Sequence, residues 1–257
     1  MSTQYPKIKN DPLRAFPLDM AMQAEQIVVP AGEHRAITLS PMTGKTVYTV
    51  EVAAGASLTL LLASTYADDA YRLVEVRATV GKDASFHLVD RVLGGARIES
   101  RITVELSSSG AEGMVTGMYH GKRQQHHACH VVVHHAVPHT HGDVYVRSVY
   151  EDQARAVFTG LISIAPDAQQ TASYYRDDVL LLDDALAESL PTLEIEANDV
   201  KASHGSTTSR INDEQMFYLT SRGIPHDQAR ALIVAGFLTP ALKRVPEALC
   251  KPFLQTD

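Results

Sequence analysis

The chain has 257 residues, 45% of them hydrophobic, enough to bury a sizeable core, so a folded domain is expected. Its formal net charge is −7 and no Lys/Arg-rich run interrupts it, which argues against nucleic acid or an anionic membrane as a partner. The opening "MSTQYPKIKNDPLRAF" lacks the apolar run of a secretory signal, no segment approaches a membrane span, and the two cysteines, Cys129 and Cys250, are too few for a disulfide framework. These features predict a cytoplasmic protein with two structural thiols.

In chain order, residues 1–25 read as an N-terminal segment. From about 26 to 210 the chain is a series of short β-rich runs, among them "EHRAITL", "TVYTVEV", "SLTLLLAS", "RLVEVRATV" and "RIESRITVEL". Several alternate, as in Ile102, Val104 and Leu106 against Arg101, Thr103 and Glu105, which is the period-2 pattern of strands buried on one face. The other face meets water or a neighbour. Gly32, Gly55 and Gly81 mark turns between runs, followed more loosely by Gly110, Gly142, Pro166 and Asn198, at intervals of 23 to 32 residues. A period in that range suggests a solenoid. An antiparallel sandwich also predicts many short strands, but Asn-Gly and Asp-Gly hairpins are absent, so a parallel β-helix is the leading expectation.

The richest local chemistry is "HHACHVVVHHAVPHTHG", for eight of the twelve histidines fall between His120 and His141. His139 and His141, two apart, are expected to share one strand face and resemble the first half of a cupin metal motif. A cupin needs a carboxylate a few residues on, and here Asp143 comes too early and Glu151 too late. Strand alternation sends His130 and His134 one way and His135 the other, so the tract cannot hold one ion. A metal-dependent enzyme with cupin-like chemistry is the alternative reading. GxxxxGK[ST], GxGxxG, HExxH and GxSxG are all missing, so no nucleotide is expected to bind this chain.

After "TTSRI" the pattern turns helical. Asn212 can cap a helix through "DEQMFYLTSR", with Gly223 as its stop. Pro225 then opens a second helix, which Pro240 is expected to end, with Ala229, Leu232, Ile233, Gly236 and Phe237 on one face; a third short helix follows before Pro252. At the β-to-helix transition lies a lone His204.

The segment "VKASHGSTTSRINDEQMFYLTSRGI" followed by "ARALIVAGF" resembles the C-terminal signature of the SufB/SufD family, scaffold subunits of SUF iron–sulfur cluster assembly. "RAVFTGLISIAPDAQQT", "VLLLDD" and "PTLEIEANDV" agree in order and spacing. The resemblance covers about 155–240 and extends more weakly back to about 115. It implies a right-handed parallel β-helix over 26–210 and a helical segment, 211–257, that docks a SufC-type ABC ATPase. It implies edge-to-edge association of the β-helix with a SufB-type subunit, or with a second copy of this chain, and a non-catalytic role around a transient iron–sulfur cluster or iron at that interface. The interface histidine of the SufD-type "SHG" motif falls on His204, and a family histidine near the end of an earlier strand falls on His135. The essential SufB cysteine aligns with Asp177. His204-Gly205 stands where SufB has His-Glu, although "STTSRI" is closer to SufB. Ala202 replaces a cysteine of many SufD-type motifs, so cluster thiolates would come from a partner. Phe217, Leu232, Ile233 and Phe237 are expected to pack the tail.

Overall fold

A computed structural model describes residues 21–249, apart from the Ala248 side chain; residues 250–257, Cys250 among them, and most of the N-terminal segment lie outside the described residues. Fourteen strands alternate between two parallel sheets, with even and odd members of the series each stacked in sequence order. The odd sheet contains β1 (Met22–Val29), β3 (Gly44–Val52), β5 (Tyr71–Val80), β7 (Arg97–Leu106), β9 (His126–His135), β11 (Arg155–Ile164) and β13 (Leu186–Ile195). The even sheet contains β2 (His34–Leu39), β4 (Ser57–Tyr66), β6 (Ser85–Gly94), β8 (Glu112–Gly121), β10 (His141–Tyr150), β12 (Thr171–Leu181) and β14 (Val200–Arg210). The chain is thus a parallel β-solenoid. Strand β1 opens at Met22, inside the stretch that the sequence pattern assigns to the N-terminal segment.

Register is strict: Arg97 pairs His126, and His126 pairs Arg155, an advance of 29 residues per coil at each step. Every coil therefore places its apolar residues above those of the last. Ile102, Val104 and Leu106 point into one continuous core, joined by Val131, Val133, Phe158 and Ile162, as the alternation requires. The turns stack as well. The N–H groups of Gly32, Gly55, Asp83, Gly110, His139 and Gln170, all at positive φ, each donate to a carbonyl of the next coil's turn.

Two of the turn markers read from sequence do other work. Asp83 takes the left-handed position expected of Gly81, and His139 (φ 59°) takes the one expected of Gly142. His139 therefore lies in a turn while His141 opens β10, so the two do not share a strand face. Gly142 is instead required by packing, since an added Cβ would lie 2.6 Å from Ser173 Oγ and 2.9 Å from His135 Nε2.

Helix α1 (Asp213–Ser221) is capped as the sequence predicts: Asn212 Oδ1 accepts from the Glu214 N–H at 2.8 Å, and Gly223 (φ 83°) turns the chain. Helix α2 (His226–Leu242) runs through Pro240 rather than ending there. Only one backbone bond is lost so near the terminus, and the turn beyond is held by packing: Ala241 and Val245 are buried against Leu61, Ala63, Val89 and Met118. The expected third helix is a short 3₁₀ turn, Glu247–Leu249.

Helix α2 lies across the outer face of the even sheet, which is why the middles of β4 and β6 are buried on both sides. Ile233, Val234, Phe237 and Leu238 pack on Val149, Leu180 and Leu182. Three arginines fasten it. Arg230 reaches Glu151 and Asp183, Arg147 donates to the Phe237 carbonyl at 2.6 Å, and Arg244 pairs with Asp143. Leu232 and Phe217 do not pack the tail: they are 54% and 74% exposed, and α1 buries none of its residues.

Candidate functional site

The solenoid's last coil is open. Among the described residues, strand β13 pairs only with β11, and β14 only with β12, so each presents an unpaired backbone edge. Leu186, Leu190, Ile195 and Tyr174 are exposed around this end. His204 sits on β14 in register with Tyr175, on the face that points toward the solenoid interior, and is exposed because no further coil covers it. The β-rich run ending in "TTSRI" thus places the histidine within the last strand, at a surface made of strand edges.

Two residues further along the same strand pair, opposite Ser206, Asp177 holds the coil together. Its carboxylate accepts from Ser189 on β13 at 2.6 Å and from Ser206 on β14 at 2.7 Å, linking the two sheets across the interior. Burial raises its pKa; the two serine hydrogen bonds only partly offset this. Sequence reading singled out Asp177 only as the place where a cysteine is missing. Its spacing to Ser189 and Ser206 is a tertiary fact with no local signature.

His135 lies in a different environment. It is fully buried on β9, two coils away and in the other sheet, with Leu106 and Ile164 as its register neighbours. Its Nδ1 bonds Thr140 Oγ1 at 2.8 Å, burial holds its pKa at about 4, and its Nε2 has no partner among the described residues. The structure does not bring His135 and His204 together.

The rest of the histidine tract is dispersed. His127 faces inward and bonds the Gly94 carbonyl at 3.0 Å, with burial lowering its pKa to about 4. His130 and His134 face outward and reach hydroxyls on β11, at 2.8 Å to Thr159 and 3.2 Å to Ser163. His120 bonds Glu151 at 2.6 Å beneath α2. Opposed faces were predicted, and they leave no group of three His, Cys, Asp or Glu side chains able to hold a metal among the described residues. The shared strand face of His139 and His141, on which the cupin-like reading stood, does not exist.

Cys129 is sealed inside. Arg72, wholly buried, donates to Asp90 at 2.9 Å and to Ser100 at 2.7 Å; Tyr119 donates to Asp90 at 2.8 Å and lies 3.2 Å from the Cys129 sulfur. Burial pushes the thiol up to about 12, so it is a protonated core residue. No thiolate of the described residues accompanies His204.

Comparison with known proteins decides the family. The profile described as SUF system FeS cluster assembly, SufBD core domain, matches residues 19–237. The chain belongs to the SufBD core family. It is 34% identical over 203 residues to an iron–sulfur cluster assembly SufBD family protein of Mycobacterium leprae, covering 76% of this chain and 52% of that one. A protein of the same description from Mycobacterium tuberculosis H37Rv is 33% identical over 199 residues, covering 74% of this chain and 50% of that one. A second from that organism is 28% identical over 182 residues, with 70% and 22% covered. The chain therefore spans about half the length of the first two relatives and about a fifth of the third. The SufBD match takes in the fourteen described strands, α1 and most of α2, so the open coil and the first part of the tail lie inside the family core. No helix among the described residues is long and apolar enough to cross a membrane.

Proposed function

We propose that this SufBD chain is a SufD-like scaffold subunit of a SUF-type iron–sulfur assembly complex, with no catalytic turnover of its own. The observation that carries the reading is the last coil: two unpaired parallel edges, exposed apolar side chains and His204 at one surface. Edges of this kind are completed by another chain adding its own strands. The partner is a SufB-type subunit, or a second copy of this chain, and the cluster or its iron is the cargo assembled between them.

His204 would supply an imidazole there, a competent iron ligand. The residues at hand fit only part of a cluster site. Ala202 offers no thiol, Cys129 is buried, and Asp177 is engaged by two serines, so the described residues supply no thiolate, and in this reading the partner contributes them. The tail supports docking of a SufC-type ABC ATPase, because Phe217, Tyr218 and Leu232 project from α1 and α2 without covering the solenoid. Arg147 and Asp178, which link α2 to β12, give tail motion a path to β14.

Co-expression with the ABC ATPase and a SufB-type protein tests the reading. A stable complex that loses the ATPase on truncation after Arg210 is expected; failure to retain any ABC ATPase in a pull-down would overturn it.

A further inference from the structure

The solenoid has two ends, and among the described residues both are open. Strand β1 pairs only with β3 and β2 only with β4, just as β13 and β14 are paired on one side only. These are parallel edges of the same two sheets, so the last coil of one chain has the strand direction needed to continue the first coil of another. A head-to-tail contact of that kind repeats without closing and builds filaments.

The two ends differ at the positions that face the interior. Glu25 heads a column that continues through the core residues Tyr48, Val76 and Ile102, and Arg35 heads one that continues through Leu58 and Phe86. Both charged residues are exposed. Arg35 also caps the backbone. The Ala53 N–H takes the Val29 carbonyl, so strand alternation turns the Val28 carbonyl to the unpaired side, where Arg35 Nη1 donates to it at 3.2 Å. Glu33 holds the same guanidinium, accepting from Nε at 2.9 Å. At the other end, the inward positions Ala187, Ser189, Pro191 and Leu193 of β13, and Ala202, His204, Ser206 and Thr208 of β14, include no Asp, Glu, Lys or Arg.

We propose that Glu25 and Arg35 close the first coil to the last coil of a second copy, so that the solenoid adds strands at one end only and its assemblies terminate. A coil stacked on β1 and β2 would strip water from both charges and displace the Arg35 cap. A coil stacked on β13 and β14 meets no such charge at the inward positions. Use of the last coil as an interface rests on the scaffold reading, whereas closure of the first coil does not.

Sedimentation velocity of the full chain over a range of concentrations tests the closure. The unaltered chain should form no species that lengthens with concentration. Glu25→Val combined with Arg35→Leu should lengthen, its weight-average mass rising about twofold or more, with far-UV circular dichroism unchanged. Arg35→Leu alone serves as a milder second variant. Adding Ala202→Arg, an inward charge at the last coil, should stop the growth. Glu51→Val with Arg77→Leu, which removes the same two charges from outward-facing positions, should leave the mass as it was. Polymerisation of the unaltered chain, an unchanged mass in the uncapped variants, growth that survives Ala202→Arg, or equal growth in the outward-facing control would overturn the proposal.

Discussion

Glu151→Gln tests how the tail is held. The glutamate side chain is only 10% exposed, and burial alone would raise its pKa. Hydrogen bonds from His120 and Arg230, with the charges of His120 and Lys122, outweigh that penalty and bring it from 4.5 down to about 2. At about 1.4 kcal/mol per pH unit, the depression corresponds to about 3 kcal/mol of stabilisation at neutral pH. The folded carboxyl is the stronger acid, so this contribution is fully present above the unfolded value and is lost as pH falls through the folded one. Glutamine keeps the shape and removes the charge. Equilibrium urea unfolding followed by circular dichroism should show the variant about 2–3 kcal/mol less stable near neutral pH, with the gap closing toward about pH 2. Equal stability at neutral pH, or a gap that persists in acid, refutes the assignment.

Four other outcomes are expected. His204→Ala should leave the melting temperature and ATPase retention unchanged but lower the cluster yield of the reconstituted complex, read by visible absorbance; an unchanged yield removes His204 from the site. Asp90→Ala strands the buried Arg72 and should cost about 3–5 kcal/mol in urea unfolding, much of it recovered when Arg72→Met and Asp90→Leu are combined. In a Cys250→Ser background, Cys129 should resist iodoacetamide near pH 8 until the protein is unfolded, as mass spectrometry of the native and denatured chain will show. Gly160→Ala places a Cβ 2.2 Å from the Tyr175 ring and should destabilise by at least about 1 kcal/mol in thermal melts, with Tyr175, the register neighbour of His204, displaced.

Alternation of Ile102, Val104 and Leu106 with Arg101, Thr103 and Glu105 was enough to identify half-buried strands, because the side-chain period of a strand is fixed by its backbone. The recurring turns were enough to suggest stacking, although the chain gave their left-handed positions to Asp83 and His139 where glycines stood nearby. Asn212 and Gly223 marked the ends of α1 because capping is satisfied within a few residues. By itself, then, the sequence determined the strand period, the repeat, the helical tail and, through the "SHG" segment, the family.

Tertiary structure decided the rest. Whether a second strand face meets water or a helix depends on a segment far along the chain, and α2 covers β6 to β12 with residues about 50 to 150 positions away. The same long-range packing carried α2 through Pro240, where local propensity favours a stop. The dense histidine tract was separated into core, turn and surface by strand direction and coil stacking. His204 reached an open edge because no coil follows β14 among the described residues, and Asp177 closes that coil through serines 12 and 29 residues away. Contacts of that span are set by the stacking of coils, which no local run of residues encodes.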